Sequence, residues 1–355
     1  MKRTFLILLC CLLTLSGWAQ NSTFPKMYAH RGCWNMTPTN EFIIPENSIP
    51  AVAMAKRMGY EGIECDVRYT KDKVMVILHD ETLNRTMRNA KDYTPLEKKI
   101  RVSDLTFQEL RNNYVLASTN PEFRAPIPTL EELLTECKKQ GIVPMLHSSL
   151  EESYQMAQSM FGNHWICFTD QENKILKVRE YSDCMVLLAI NDGTPEANIE
   201  RLKRIGGHCG VSTMNYNLLT KEFSHALTHE GYEVQASIFP IPKEATGQAN
   251  GVTFQLTDYS FMPAKGMKPK HTINLKKQAK LPTETLECGA FVLELKVKGE
   301  AEIIIGQKHT YPVSSDGKES IYIGHRFFNG SIPDIQLVKG YETKVKKLKV
   351  KIWSL

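Results

Sequence analysis

Three short stretches of this sequence carry side chains that can bind a cation and move protons. They are His30-Arg31-Gly32, the run Ile63-Glu64-Cys65-Asp66-Val67-Arg68, and His79-Asp80, which is followed by Leu83-Asn84-Arg85-Thr86. If Ile63–Arg68 is a strand, Glu64, Asp66 and Arg68 share one face and Ile63, Cys65 and Val67 the other. Two carboxylates two residues apart can chelate one ion. Enclosed and unpaired they would repel each other, so a metal or a cationic partner is implied. The competing reading is a structural ion pair with Arg68 or a lysine. Two histidines at strand ends beside such a pair can act as general acid and base near neutral pH.

The elements that must position these groups read as β then α, repeated. Strand candidates are Met27–His30, Gly62–Arg68, Val74–His79, Val143–His147, Trp165–Thr169, Met185–Ile190, Gly210–Met214, Glu233–Ile238 and Val252–Thr257. Thr106 with Glu109 and Thr129 with Glu132 have capping-box spacing, and Gly59 and Gly141 stand where helices should end. Residues 24–265 have the length of a (β/α)8 barrel, an α/β fold in which functional groups come from the C-terminal ends of strands. Only Tyr69 to Lys73 separate the second and third candidates, too few for a parallel crossover, so these two should pair as a hairpin. Nine candidates for eight barrel positions leave one that is either an extra strand or no strand at all.

Over residues 270–355 the periodicity changes to two. Phe291–Lys298, Glu302–Ile305, Ser320–Ile323, Asp334–Val338 and Val345–Ile352 alternate between turn residues, which predicts a small all-β sandwich. The lysines of the last run read as a solvated strand face. Phe291, Tyr311, Tyr322, Phe327, Phe328, Tyr341 and Trp353 are either sandwich core or a platform for a glycan.

Residues 1–20 have the form of a cleaved export signal: Lys2 and Arg3, an apolar run from Phe5 to Leu15, then Gly17 and Ala19. A lipoprotein cysteine at Cys10 or Cys11 is the alternative, disfavoured by the leucine that precedes Cys10. The expected location is secreted or periplasmic. No run is long enough for a transmembrane helix. A net charge of +5 over 355 residues gives no reason to expect a nucleic-acid partner. The seven cysteines beyond the signal lack CxxC spacing and read as small buried hydrophobes.

The motifs AHRG (Ala29–Gly32), PENS (Pro45–Ser48), GYEGIECDV (Gly59–Val67), TKDKVMVILHDETLNRT (Thr70–Thr86) and IPTLEELL (Ile127–Leu134) resemble, in order and spacing, the glycerophosphodiester phosphodiesterase family. A weaker match runs through GVTFQLTDY (Gly251–Tyr259). The resemblance implies metal-assisted cleavage of a small phosphodiester or phosphorylated glycan, with His30 and His79 as the acid–base pair and Glu64 and Asp66 as metal ligands. Arg31, Arg85 and Ser149 would contact substrate. One divalent ion is implied, magnesium or calcium by resemblance.

The sequence also departs from the family. Where the fourth strand should carry a third carboxylate and a lysine, GIVPMLHSS (Gly141–Ser149) places His147 and Ser149. His147 as third ligand suits zinc or manganese better than oxygen-preferring ions; alternatively Glu151 or Glu152 reaches the metal. Cys33 to Ile44 lengthens the first loop over the site, and the expected Trp-Thr near Glu233–Phe239 is absent. Two other functions compete: a barrel repurposed for glycan chemistry without phosphate, and a non-catalytic glycan- or surface-binding protein.

Overall fold

A computed structural model describes residues 25–37, 39–215, 217–237, 251–259, 261, 263, 266–276, 281–306, 309–318 and 320–355. Residues 1–20, expected from the sequence to be an export signal, lie outside the described residues.

Eight parallel strands close into a barrel. They are β1 (Lys26–Ala29), β2 (Gly62–Tyr69), β4 (Val143–His147), β5 (Ile166–Thr169), β6 (Met185–Ile190), β7 (Cys209–Thr213), β8 (Glu233–Ser237) and β9 (Phe254–Thr257). Closure comes from β1, which pairs with β9 (Met27 opposite Gln255) and with β2 (Tyr28 opposite Gly62). The ninth candidate, β3 (Met75–Ile77), is antiparallel to β2, with Val67 opposite Ile77. The short connection leaves no other geometry.

Helices α1 (Ile49–Arg57), α3 (Leu130–Gln140), α4 (Glu151–Phe161), α5 (Glu172–Arg179), α6 (Pro195–Ile205) and α7 (Lys221–His229) cover the outside, while α2 (Phe107–Asn113) belongs to an excursion between β3 and α3. Both capping boxes form: Thr106 and Thr129 accept from the backbone of Glu109 and Glu132, whose carboxylates reach back to the cap residues. Gly141 ends α3 in the left-handed conformation, at φ 65°, which glycine adopts without a Cβ penalty.

Side-chain alternation sorts the barrel into two layers. Tyr28, Met145, Ile166, Phe168, Met185, Leu187, Phe254 and Leu256 fill the interior. Ile63, Cys65 and Val67 pack outward with the helices. Gly62 faces inward because nothing larger fits: a Cβ there would lie 2.1 Å from the Tyr28 ring and 2.5 Å from the Val143 carbonyl. Next along the same face come Glu64 and Asp66, so the sequence places a packed floor and then two carboxylates above it. The seven cysteines from Cys33 to Cys288 are all free and buried.

The C-terminal region forms a separate antiparallel sheet of β10 (His271–Asn274), β11 (Thr285–Ile305), β12 (His309–Asp316), β13 (Ile321–Ser331), β14 (Ile335–Lys339) and β15 (Lys344–Ser354). The two strands expected at Phe291–Lys298 and Glu302–Ile305 are one. Gly299, at φ 106°, lets the chain turn without ending the ladder. The first half of β11 pairs with β13 and β15 and its second half with β12 and β14. Phe291, Leu293, Leu295, Val297, Ile303 and Ile305 line one core with Tyr311, Ile323, Val350 and Ile352. The opposite face, with Cys288, Ala290, Val292 and Trp353, packs against the barrel core. Phe291, Tyr311, Phe327 and Trp353 are buried, so they are core and not an exposed glycan platform; Tyr341 is exposed, and the Phe328 side chain lies outside the described set.

Candidate active site at the barrel mouth

Strands β2 and β4 run side by side, with Asp66 opposite His147, and deliver three ligand-type groups to the barrel's C-terminal end. One ligand atom each from Glu64, Asp66 and His147 lies within 4.8 Å of the other two. Glu64 is fully buried and Asp66 nearly so, while the His147 side chain is half exposed. The His147 Nδ1 atom stands 3.4 Å from Asp66 and 3.9 Å from Glu64. The His147 ring also packs on Phe168, at 4.8 Å between centroids, which fixes its plane.

Burial, and then the neighbouring Asp66 carboxylate, push the Glu64 carboxyl well up. Burial acts in the same direction on Asp66, but the His147 hydrogen bond and the charges of His79 and Arg31 outweigh it, and its carboxyl is held down. Two enclosed carboxylates thus divide the charge unequally. A Glu, Asp and His set of this kind fits a divalent cation, which would neutralise both acids at once.

The histidines flank this cluster in different settings. The His30 side chain is 9% exposed and its Nδ1 donates to Asp258 Oδ1 at 2.8 Å, leaving Nε2 turned toward Glu64 at 3.9 Å. Burial works against a charge on His30, but the Asp258 hydrogen bond and the Glu64 carboxylate prevail and raise its pKa. His79 is more open, and its Nδ1 donates to Asp80 Oδ1 at 2.8 Å. In both cases a carboxylate on Nδ1 fixes the tautomer and leaves Nε2 available.

A chain of ion pairs ties the histidine-bearing segments together. The Arg31 guanidinium donates to Glu46 at 3.1 Å and lies 3.6 Å from Asp66; Arg85 grips Glu46 with two bonds of 2.7 Å and also bonds Asp80. The Arg31 backbone N–H donates to Glu64 at 3.0 Å, an arrangement reached with φ 55° at Arg31. Asn47, from the PENS motif, donates to Asp66 at 3.1 Å.

Asp66, Arg68, His79, His147, Ser149, Asp170 and Gln171 line a cleft of about 210 Å³ at the mouth. Arg68 is not the counter-ion of the acidic pair: its guanidinium donates to the His79 carbonyl. Neither Glu151 nor Glu152 belongs to the cluster, since the first faces Tyr181 and the second Tyr69. Ser149 lies exposed on the rim, and its carbonyl accepts from Lys174. The lengthened first loop forms a small hairpin, Asn35–Met36 with Phe42–Ile44, tied to the excursion by Thr119 N–H and Ser118 Oγ.

Sequence reasoning therefore located every residue of the cluster and missed its supports. Asp258, Glu46, Asn47 and Asp80 all carry the positioning bonds. Glu46, Asn47 and Asp258 stood inside the motifs PENS and TDY, and only tertiary proximity assigns their partners, whereas Asp80 is the chain neighbour of its partner His79.

The fold and site define a TIM barrel with a carboxylate–imidazole cluster at its open end. The sequence pattern described as the glycerophosphoryl diester phosphodiesterase family matches residues 30–176. The glycerophosphodiester phosphodiesterase of Caldanaerobacter subterraneus subsp. tengcongensis is 42% identical over 215 residues, covering 59% of this chain and 78% of that protein. Mouse glycerophosphodiester phosphodiesterase 1 is 31% identical over 137 residues, covering 35% of this chain and 38% of its own length. The fold is similar to that of an Oleispira antarctica phosphodiesterase solved with the product sn-glycerol-3-phosphate, at a TM-score of 0.50 and 20% identity, covering 67% of this chain and 94% of that one. This chain belongs to the glycerophosphodiester phosphodiesterase family.

Proposed function

We propose that the protein is an exported, metal-dependent phosphodiesterase that cleaves a glycerophosphodiester or a related phosphorylated polyol or lipid headgroup at the barrel mouth. The observation that carries this reading is the convergence of Glu64, Asp66 and His147 within 4.8 Å, between two carboxylate-oriented histidines. These three residues would hold the ion, with His147 favouring zinc or manganese over magnesium or calcium. When bound, the ion supplies charge neutralisation of the phosphodiester and polarisation of its oxygen.

The remaining work falls to this chain's own groups. Nε2 of one histidine takes the proton from the entering hydroxyl or water, and Nε2 of the other returns one to the leaving alcohol. Asp258 and Asp80 hold the two rings in the required tautomers. Arg31 and Arg85, held by Glu46 and Asp80, keep their guanidinium groups beside the two histidine-bearing segments, and Ser149 offers a hydroxyl at the cleft wall. The family relationship supports the reaction class, and the product complex of the Oleispira antarctica relative supports a small-molecule substrate. The character of residues 1–20 supports the export part of this reading, and N-terminal sequencing of protein recovered outside the cytoplasm tests it.

The activity is tested with glycerophosphocholine and glycerophosphoinositol against zinc, manganese, magnesium and calcium. Release of the alcohol with at least one ion, abolished by His30→Ala, is expected. Folded, metal-loaded protein that releases none from either substrate defeats the proposal.

A further inference from the structure

The loops that follow His30 and carry Asp258 are contacted from outside the barrel. Arg326 lies on β13 of the C-terminal sheet, is 8% exposed, and reaches across the seam between the two units. Its Nη2 donates to the carbonyls of Trp34 (3.0 Å) and Asp258, and its Nη1 to the Cys33 sulfur. Cys33 and Trp34 follow directly on His30-Arg31-Gly32, and Asp258 follows β9. One guanidinium therefore spans the two loops that bring His30 and its carboxylate together.

The backbone beneath it is fixed as tightly. Arg326 N–H donates to the Tyr259 carbonyl at 3.1 Å, and Phe261 N–H to the Gly324 carbonyl at 3.1 Å. A Cβ at position 324 would lie 1.7 Å from the Phe261 carbonyl oxygen, so only glycine permits this approach. Burying a guanidinium is costly unless its donors are satisfied, and three of this one's bonds go to the two loops in question.

We propose that Arg326 is a positioning residue: through it the C-terminal sheet holds His30 and Asp258 at hydrogen-bonding distance, so that the sheet is a working part of the barrel's site. The proposal deepens the phosphodiesterase reading and rests on it for its kinetic consequence, but not for its structural one. A misplacement of about 1 Å at a proton-transfer group lowers turnover about 100-fold without a matching loss of binding.

The test compares Arg326→Met, which keeps the stem and loses the fork, with Arg326→Lys, which keeps one charge, and with Ile303→Val, which weakens the same sheet's core away from the seam. The first readout is the low-field proton resonance of His30 Nδ1–H in full-length protein, assigned by its loss in His30→Asn. The wild type and Ile303→Val are expected to show it, Arg326→Met to lose it while circular dichroism stays native, and Arg326→Lys to show it exchange-broadened. In kinetics, Arg326→Met lowers kcat about 100-fold with KM within about twofold. The proposal is overturned if the wild type lacks the resonance, if Arg326→Met retains it with wild-type exchange, or if Ile303→Val loses it equally. Should Arg326→Met not fold, Arg326→Lys with wild-type resonance and kcat overturns it alone. Absence of turnover in the wild type defeats the phosphodiesterase reading and leaves the resonance test in force.

Discussion

Replacing Glu46 by Gln should be among the most damaging single changes near the site, although Glu46 is not among the groups nominated for chemistry. Its carboxylate is 3% exposed and accepts one hydrogen bond from Arg31 and two from Arg85. A charge-assisted bond contributes about 1.5–3 kcal/mol, so the gross interaction is several kcal/mol. Part of it is recoverable: Arg85 keeps both bonds to Asp80 and its side chain is 38% exposed, and Arg31 stays 3.6 Å from Asp66. Breaking a buried pair from one side costs about 3–5 kcal/mol, and that retained pairing places Glu46→Gln near about 3 kcal/mol. Urea unfolding monitored by tryptophan fluorescence measures it, and a cycle with Arg85→Met should return a coupling of about 2 kcal/mol. A loss under about 1 kcal/mol, or a coupling indistinguishable from zero, would refute the view that Glu46 clamps the two histidine-bearing segments.

Three further expectations follow from individual contacts. Gly62→Ala drives a methyl into the Tyr28 ring and the Val143 carbonyl; it should cost about 3 kcal/mol, seen as a lowered Tm or loss of soluble protein. The Asp80 carboxyl is lowered to about 2, because its bonds to Arg85 and His79 outweigh the opposing effect of burial. Its folded value lies below its unfolded one, so its contribution is complete above about pH 4 and is lost as pH falls through about 2. Solvent screening limits that contribution to about 1 kcal/mol, and the stability gap between wild type and Asp80→Asn should close over that acidic window; a gap that widens would contradict the sign. His147→Glu should shift metal preference from zinc toward magnesium by about tenfold in chelator competition, and an unchanged ratio would remove His147 from the ligand set.

The barrel was readable because its signals are local. Alternation in IECDV separates inward carboxylates from outward apolar residues, capping boxes mark α2 and α3, and a five-residue link dictates the β2–β3 hairpin. The acidic cluster was readable for the same reason, since its members sit at adjacent strand ends. Illegible were the pairings between distant segments. His30 and Asp258 are 228 residues apart, and no periodicity records their contact. The split assigned to β11 failed because Gly299 and Glu300 look like a turn, whereas the ladder to β12 carries the strand through them. Period-two aromatics fit core and platform equally until the second layer is in place.

The long strand Thr285–Ile305 has consequences for biosynthesis. Each of its four hydrogen-bonding partners, β12 to β15, lies later in the chain. As the polypeptide emerges, a 21-residue ribbon with apolar side chains on both faces waits, unsheltered, for the final segment. A ribosome that stalls before Lys344–Ser354 would release a finished barrel attached to a sticky edge, and a holdase that shields such edges would then decide between maturation and aggregation.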